Sequence, residues 1–128
     1  MKMVIMRIAI VGSRSINNKE AIFKELASRF RVGDILISGG AAGVDSIAEE
    51  FAVNNNYEML IFKPKGVKPA DYLARNRLIV ENSDLVLAFW DGISTGTIFT
   101  YNYALKRGIK AILIRYKHRK AYKGVNSI

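Results

Sequence analysis

Three short segments of this 128-residue chain carry residue types suited to holding an anion. They are Gly12-Ser13-Arg14, then Ser38-Gly39-Gly40-Ala41-Ala42-Gly43-Val44-Asp45, then Asp91-Gly92-Ile93-Ser94-Thr95-Gly96-Thr97. Each follows an apolar run and leads into a stretch with helical spacing. Glycine permits positive φ and leaves no Cβ between the backbone and an approaching ligand. The first amides of a helix are unpaired and carry the positive end of its dipole, so together they attract phosphate or carboxylate. In the third segment Ser94, Thr95 and Thr97 add hydroxyls that can donate to phosphate oxygens. Each segment also has a plain reading: a hydroxyl-capped helix after a tight turn, or close packing of helix on strand. The convergence of all three on one predicted sheet edge favours a ligand site.

Other chemistries find little support. With no cysteine, disulfides, thiolate metal ligands and thiol nucleophiles are excluded. No Asp, Glu or His cluster has metal-ligand spacing, and His118 has neither acid nor metal partner near it in the sequence. No Gly-Lys-Ser or Gly-Lys-Thr occurs, and the first strand–helix turn lacks the glycine spacing of a dinucleotide fingerprint. Asp45 falls in the first turn of a helix, where an acid offsets the dipole as readily as it meets a ligand. Arg75-Asn76 lies on a helix and offers a countercharge, or else a solvated side chain. Trp90, the single tryptophan, ends a strand at the expected site edge, where it stacks on a base or packs in the core.

The elements that must position these residues alternate regularly. Apolar, β-branched strands are expected at Met3–Val11, Ile35–Ser38, Glu58–Lys63, Asp84–Trp90 and Ile109–Arg115. Helices are expected after an Asn17 or Asn18 cap (with Ala21, Ile22, Leu26, Ala27 and Phe30 recurring at helical spacing), over Gly43–Asn54, over Ala70–Asn82 (through Leu73, Leu78 and Ile79), and over Gly96–Arg107. Pro64 to Pro69 reads as a loop, and Gly108 as a helix C-cap. Strict alternation of five strands with four helices implies an α/β fold: one Rossmann-like doubly wound domain, its five-stranded parallel sheet covered by helices on both faces. Right-handed crossovers favour the strand order 3-2-1-4-5, with the switch point between the first and fourth strands. Ligands of such sheets sit beyond the carboxyl ends of the strands at that point.

The net charge of +9 raises the question of nucleic acid. More than half of it comes from Arg115, Lys117, Arg119, Lys120 and Lys123, so the chain divides into a domain over residues 1–116 and a basic C-terminal tail over 117–128. Such a tail is a solvated end or an electrostatic arm for nucleic acid. Arg7 interrupts the apolar start and no cleavage site follows, so a secretion signal is not expected. No apolar stretch is long enough to cross a bilayer, and a cytoplasmic protein without membrane partners is expected.

At these residues the chain resembles the SLOG superfamily of Rossmann-like proteins. That group includes the DNA-processing DprA fold, lonely-guy-type phosphoribohydrolases and small YspA-like proteins, and the resemblance is strongest to the YspA-like branch. It rests on Ile10 to Arg14, Ser38 to Asp45, Arg75-Asn76 and Asp91 to Thr97, in that order along the chain. The resemblance implies a nucleotide or nucleotide-derived ligand and points to no certain cofactor beyond it. Gly12, Ser13 and Arg14 would lie near its base or sugar. Gly39, Gly40, Gly92, Ser94, Gly96 and Thr97 would cradle phosphate, with Arg75 as countercharge. The phosphoribohydrolases carry Gly-Gly-x-Gly-Thr-x-x-Glu, and Thr100 stands here where that glutamate would be. A hydroxyl cannot supply a carboxylate's charge to an oxocarbenium-like centre. The expectation is therefore a binding module that senses or carries the ligand. A nucleotide-cleaving enzyme and a DprA-like nucleic-acid binder are the alternatives, and the fold's habit of self-association implies a homodimer.

Overall fold

A computed structural model describes residues 4–116. The expected basic tail over 117–128, with His118, and the first three residues lie outside the described part. Five strands and four helices alternate: β1 (Arg7–Gly12), α1 (Lys19–Ala27), β2 (Ile35–Ser38), α2 (Val44–Asn54), β3 (Glu58–Ile61), α3 (Pro69–Glu81), β4 (Leu85–Trp90), α4 (Thr95–Lys106) and β5 (Lys110–Arg115). All pairings are parallel, in the order β3-β2-β1-β4-β5, as the alternation of elements predicts.

The apolar strands divide by parity. Ile8, Ile10, Leu36, Leu85, Leu87 and Phe89 face α1 and α2, meeting Ile22, Leu26, Val44, Ala48 and Phe51. Ala9, Val11, Ile37, Val86 and Ala88 face the other way, onto Ile79, Val80 and Ala104 of α3 and α4. A strand buried on both faces must be apolar at every position, which is why these runs show no alternation in the sequence.

Several boundaries differ from the sequence expectation for identifiable reasons. β1 begins at Arg7, not Met3, because its partner β2 starts opposite Arg7 and the Asp34 carboxylate takes the Met6 N–H at 3.0 Å. Pro69 is the first residue of α3, where its missing N–H costs nothing. Within α3, Leu78 is 46 % exposed, and the buried positions are Arg75, Ile79 and Val80. Asn18 is the N-cap of α1, its side chain accepting from the Ala21 amide. Gly108, at φ 76°, follows the end of α4 as expected. Among the described residues, no helix is long and apolar enough to cross a membrane.

Candidate functional site

The carboxyl ends of β1 and β4, adjacent in the sheet but far apart in sequence, open a cavity of about 410 Å³. Of the residues expected from sequence, Gly12, Arg14, Asp45, Arg75, Asn76, Asp91, Ser94, Gly96 and Thr97 line it. The loop before α4 forms one wall. Asp91 organises that loop: Oδ1 accepts the Ile93 and Ser94 amides, both at 2.8 Å, and Oδ2 accepts the Ser15 hydroxyl at 2.7 Å. Burial alone would raise the Asp91 carboxyl, but these bonds together with the nearby Ser13 hydroxyl outweigh it and hold the pKa at about 2. Ser94 is the N-cap of α4 and accepts from the Thr97 amide. The Thr95 and Gly96 amides have no hydrogen-bond partner among the described residues.

The glycines divide into two kinds. A Cβ on Gly12 would lie 2.6 Å from the Val44 side chain, and one on Gly43 would lie 2.7 Å from the Arg14 carbonyl oxygen. One on Gly39 would meet the Arg75 guanidinium at 2.6 Å, and one on Gly92 the Arg115 guanidinium at 2.5 Å. These positions are small because protein packs there. Gly39, Gly40, Gly43 and Gly92 do not line the cavity. At Gly96 a Cβ would meet nothing nearer than Asn76 Nδ2, at 4.0 Å, and the residue lines the cavity.

Three further residues expected at the ligand are placed in supporting roles. Ser13 is buried, its hydroxyl accepting the Asp91 N–H at 3.1 Å. The Ser38 hydroxyl donates to Glu49 at 2.7 Å. Trp90 donates its indole N–H to the Ser94 carbonyl at 2.9 Å, and Arg115 covers its ring at 5.4 Å, so the indole braces the loop.

Opposite α4, helix α3 supplies Tyr72, Arg75, Asn76 and Ile79, an i, i+3, i+4, i+7 set on one helix face. Arg75 is only 8 % exposed; Nη1 donates to the Gly39 carbonyl and, at 3.3 Å, to that of Phe62, while Nε donates to Asn76 Oδ1 at 2.8 Å. Of the two readings open for Arg75, the solvated side chain does not hold: the guanidinium is clamped between α3 and the residues that follow β2 and β3. The Tyr72 ring has the Arg14 guanidinium at 6.0 Å and that of Arg75 at 5.8 Å from its centroid. Tyr72, Ser15 and Ala41 line the cavity without having been singled out from sequence. For Tyr72 the signal was present, since it stands three residues before Arg75 and four before Asn76.

In sequence, the YAcAr model for the YspA, cpYpsA-related SLOG family matches residues 6–66. A gene 61 protein of Mycobacterium phage D29 is 30% identical over 117 residues, covering 83% of this chain and 94% of that protein. The chain belongs to the YspA-related SLOG family. Among solved structures it superposes on DNA processing protein A (DprA) of Streptococcus pneumoniae with a TM-score of 0.75 at 18% identity, over 88% of this chain and 51% of that one. It thus spans about half the length of the pneumococcal protein. DprA of Helicobacter pylori, described for its single-stranded DNA binding mode, gives 0.66 at 25% identity, over 88% and 66%.

Two features of this SLOG domain bear on chemistry. Thr100, which the resemblance leads one to expect where the phosphoribohydrolases carry a glutamate, lines the cavity but donates its hydroxyl back to the Gly96 carbonyl at 2.8 Å. Asp45 is the other carboxyl in the lining, 6 % exposed, with Oδ2 accepting the Ala41 amide at 3.1 Å. Burial pushes it up to about 6, against the Ala41 amide and the Arg75 charge, which favour ionisation. Burial likewise lowers the Arg75 pKa, and Asp45 opposes that shift. No ion pair joins the two among the described residues. Among those residues there is also no group of acids and histidines able to hold a metal ion.

Proposed function

We propose that this protein binds a nucleotide or nucleotide-derived small molecule in the cavity between α3 and α4, as a sensing or carrying module. In this reading the phosphate lies against the Thr95 and Gly96 amides and the Ser94 and Thr97 hydroxyls, and the Arg75 and Arg14 guanidiniums supply countercharge. Gly96 carries the argument. It is the glycine whose missing Cβ leaves open space beside unpaired helix-end amides, where protein packing gives no reason for its small size. Family membership adds support, as does the switch-point position of the cavity.

Gly96→Val tests this reading. The branched side chain would fill the phosphate approach, and its Cβ would meet no neighbouring element closer than Asn76 Nδ2 at 4.0 Å, so the variant folds but loses nucleotide binding by about two orders of magnitude or more. A thermal-shift screen of nucleoside mono-, di- and triphosphates, dinucleotides and ADP-ribose derivatives on both proteins reads it out. A ligand that stabilises wild type and variant equally would remove the phosphate from α4.

A second reading, single-stranded nucleic acid at the same cavity, is supported by the described binding mode of the Helicobacter pylori DprA. It predicts that oligonucleotides outcompete mononucleotides and that log affinity falls linearly with log salt concentration. A ligand affinity insensitive to salt would dismiss it.

A further inference from the structure

Helix α3 borders open space on two sides. Tyr72, Arg75, Asn76 and Ile79 turn into the cavity described above, while Asp71, Ala74, Leu78 and Glu81 border a second groove of about 410 Å³. Lys63 and Lys65, from the segment linking β3 to α3, complete this groove with Arg77, and Arg75 belongs to both. The sides of one helix thus face two separate spaces, with a single guanidinium between them.

Charge in the second groove is unbalanced: the four cations Lys63, Lys65, Arg75 and Arg77 face the two acids Asp71 and Glu81. The Asp71 carboxylate accepts the Lys68 amide at 3.1 Å and lies 2.5 Å from where a Gly66 Cβ would be, so the loop is moulded around it. Glu81 accepts the Tyr103 hydroxyl and lies 4.0 Å from Arg107. Both acids already have partners. Among the described residues no carboxylate comes within ion-pair distance of Lys63, Lys65, Arg75 or Arg77. Arg77 rests over the Phe99 ring at 5.6 Å, which orients its guanidinium without neutralising it. Leu78 supplies an exposed apolar edge.

We infer that this groove is a second anion site, shaped for linked phosphate groups. A lone carboxylate would engage one cation and leave the others repelling each other. A chain of phosphates offers a negative charge to each lysine and a planar pair of oxygens to arginine. The linked phosphates have two sources, a free polyphosphate moiety or the backbone of a single-stranded nucleic acid. Apart from Arg75, the site stands on residues that the nucleotide cavity does not use.

The test uses the full chain carrying Gly96→Val, which silences the first cavity. Calorimetric titration at low ionic strength with inorganic tripolyphosphate is compared with titration by a short single-stranded oligothymidylate. Adding Lys63→Gln and Lys65→Gln is expected to weaken binding about tenfold or more, the effect of losing charged hydrogen-bond donors. Adding Lys106→Gln and Lys110→Gln, the same charge change elsewhere on the surface, is expected to leave binding unchanged. A larger loss with oligothymidylate assigns the groove to nucleic acid, and a larger loss with tripolyphosphate assigns it to free phosphate chains. The inference is overturned if the two double variants are indistinguishable with both probes, or if Gly96→Val alone abolishes all binding. Failure of the nucleotide reading gives a different result: Gly96→Val then leaves nucleotide stabilisation intact, whatever the lysine variants do.

Discussion

At Asp45 a buried carboxyl makes stability depend on pH in a direction opposite to the usual acid. The folded protein holds its proton up to a pH of about 6, against 3.8 for an ordinary aspartate. Between those values the folded state binds more protons than the unfolded state, so stability falls as pH rises from about 4 to about 6 and the penalty is complete above. Asp45→Asn removes the charge and keeps an acceptor for the Ala41 amide. It should therefore stabilise the protein near neutral pH by about 1–3 kcal/mol and flatten the pH dependence in that window. Urea unfolding at a series of pH values measures both, and an unaltered slope between pH 4 and 6 would mean the carboxylate is not desolvated. Asp91 works in the ordinary direction: its stabilisation is present above the unfolded value and lost as pH falls toward about 2, so the windows scarcely overlap. Neither shift was legible in the sequence, where both residues are simply acids in glycine-containing segments. What separates them is burial first, deep at Asp45 and slight at Asp91, and then the number of donors reaching each carboxylate, both properties of the folded loops. The same limit applies to the glycines, because a position kept small for Val44 or Arg75 is spelled identically to one kept small for a ligand.

The start of α2 shows how one element is placed by another. Gly43, its N-cap, sits at φ 77°, with the Arg14 backbone where a Cβ would be. The turn after β1 therefore rests directly on the end of α2, and this contact fixes Arg14 at the cavity mouth. Gly43→Ala combines backbone strain with a clash against main chain that cannot rotate away, and should cost about 2–4 kcal/mol. Gly108→Ala is the control, with similar φ but open space around it, and should cost only about 1 kcal/mol. Equal losses in chemical denaturation would show that strain alone matters and that the Arg14 contact is soft. At this scale the sequence was highly legible. The five apolar runs became five strands because a sheet covered on both faces keeps its strand interiors apolar, with polar residues only at strand ends such as Arg7, Glu58, Lys110 and Arg115. The order followed from short connections that must cross over in one hand. α3 was read less well: Leu73, Leu78 and Ile79 suggested its core face, yet Arg75 is buried and Leu78 borders a groove. An arginine that satisfies itself on the carbonyls of Gly39 and Phe62 carries no sequence mark distinguishing it from a solvated one.

The two ends of the sheet differ in the backbone donors they leave open, and stability and binding separate accordingly. At the amino end, side chains close off backbone donors: Asp34 accepts the Met6 amide at 3.0 Å and the Arg31 amide at 2.9 Å, and Asp84 accepts the Arg7 amide at 2.8 Å. At the carboxyl end Asp91 closes the Ile93 and Ser94 amides, but the Thr95 and Gly96 amides have no partner among the described residues and lie beside a cavity. A helix end open in this way gains partners only when an anion arrives, so a ligand should add stability that the unliganded fold lacks. At about one hundred times its dissociation constant, that gain is roughly 2.7 kcal/mol. Asp34 lies at the far end of the strands and is buried, so Asp34→Ala should lower stability by about 3 kcal/mol through the loss of two charge-assisted bonds. The sites share no partner, so the ligand's increment should be the same in Asp34→Ala as in wild type. Gly96→Val should show the converse, near wild-type stability without ligand and no increment with it. Denaturation of the three proteins with and without nucleotide decides the matter. If Asp34→Ala diminished the ligand's increment, the sheet would be transmitting strain along its length, and its two ends could not be treated as one scaffold carrying one independent site.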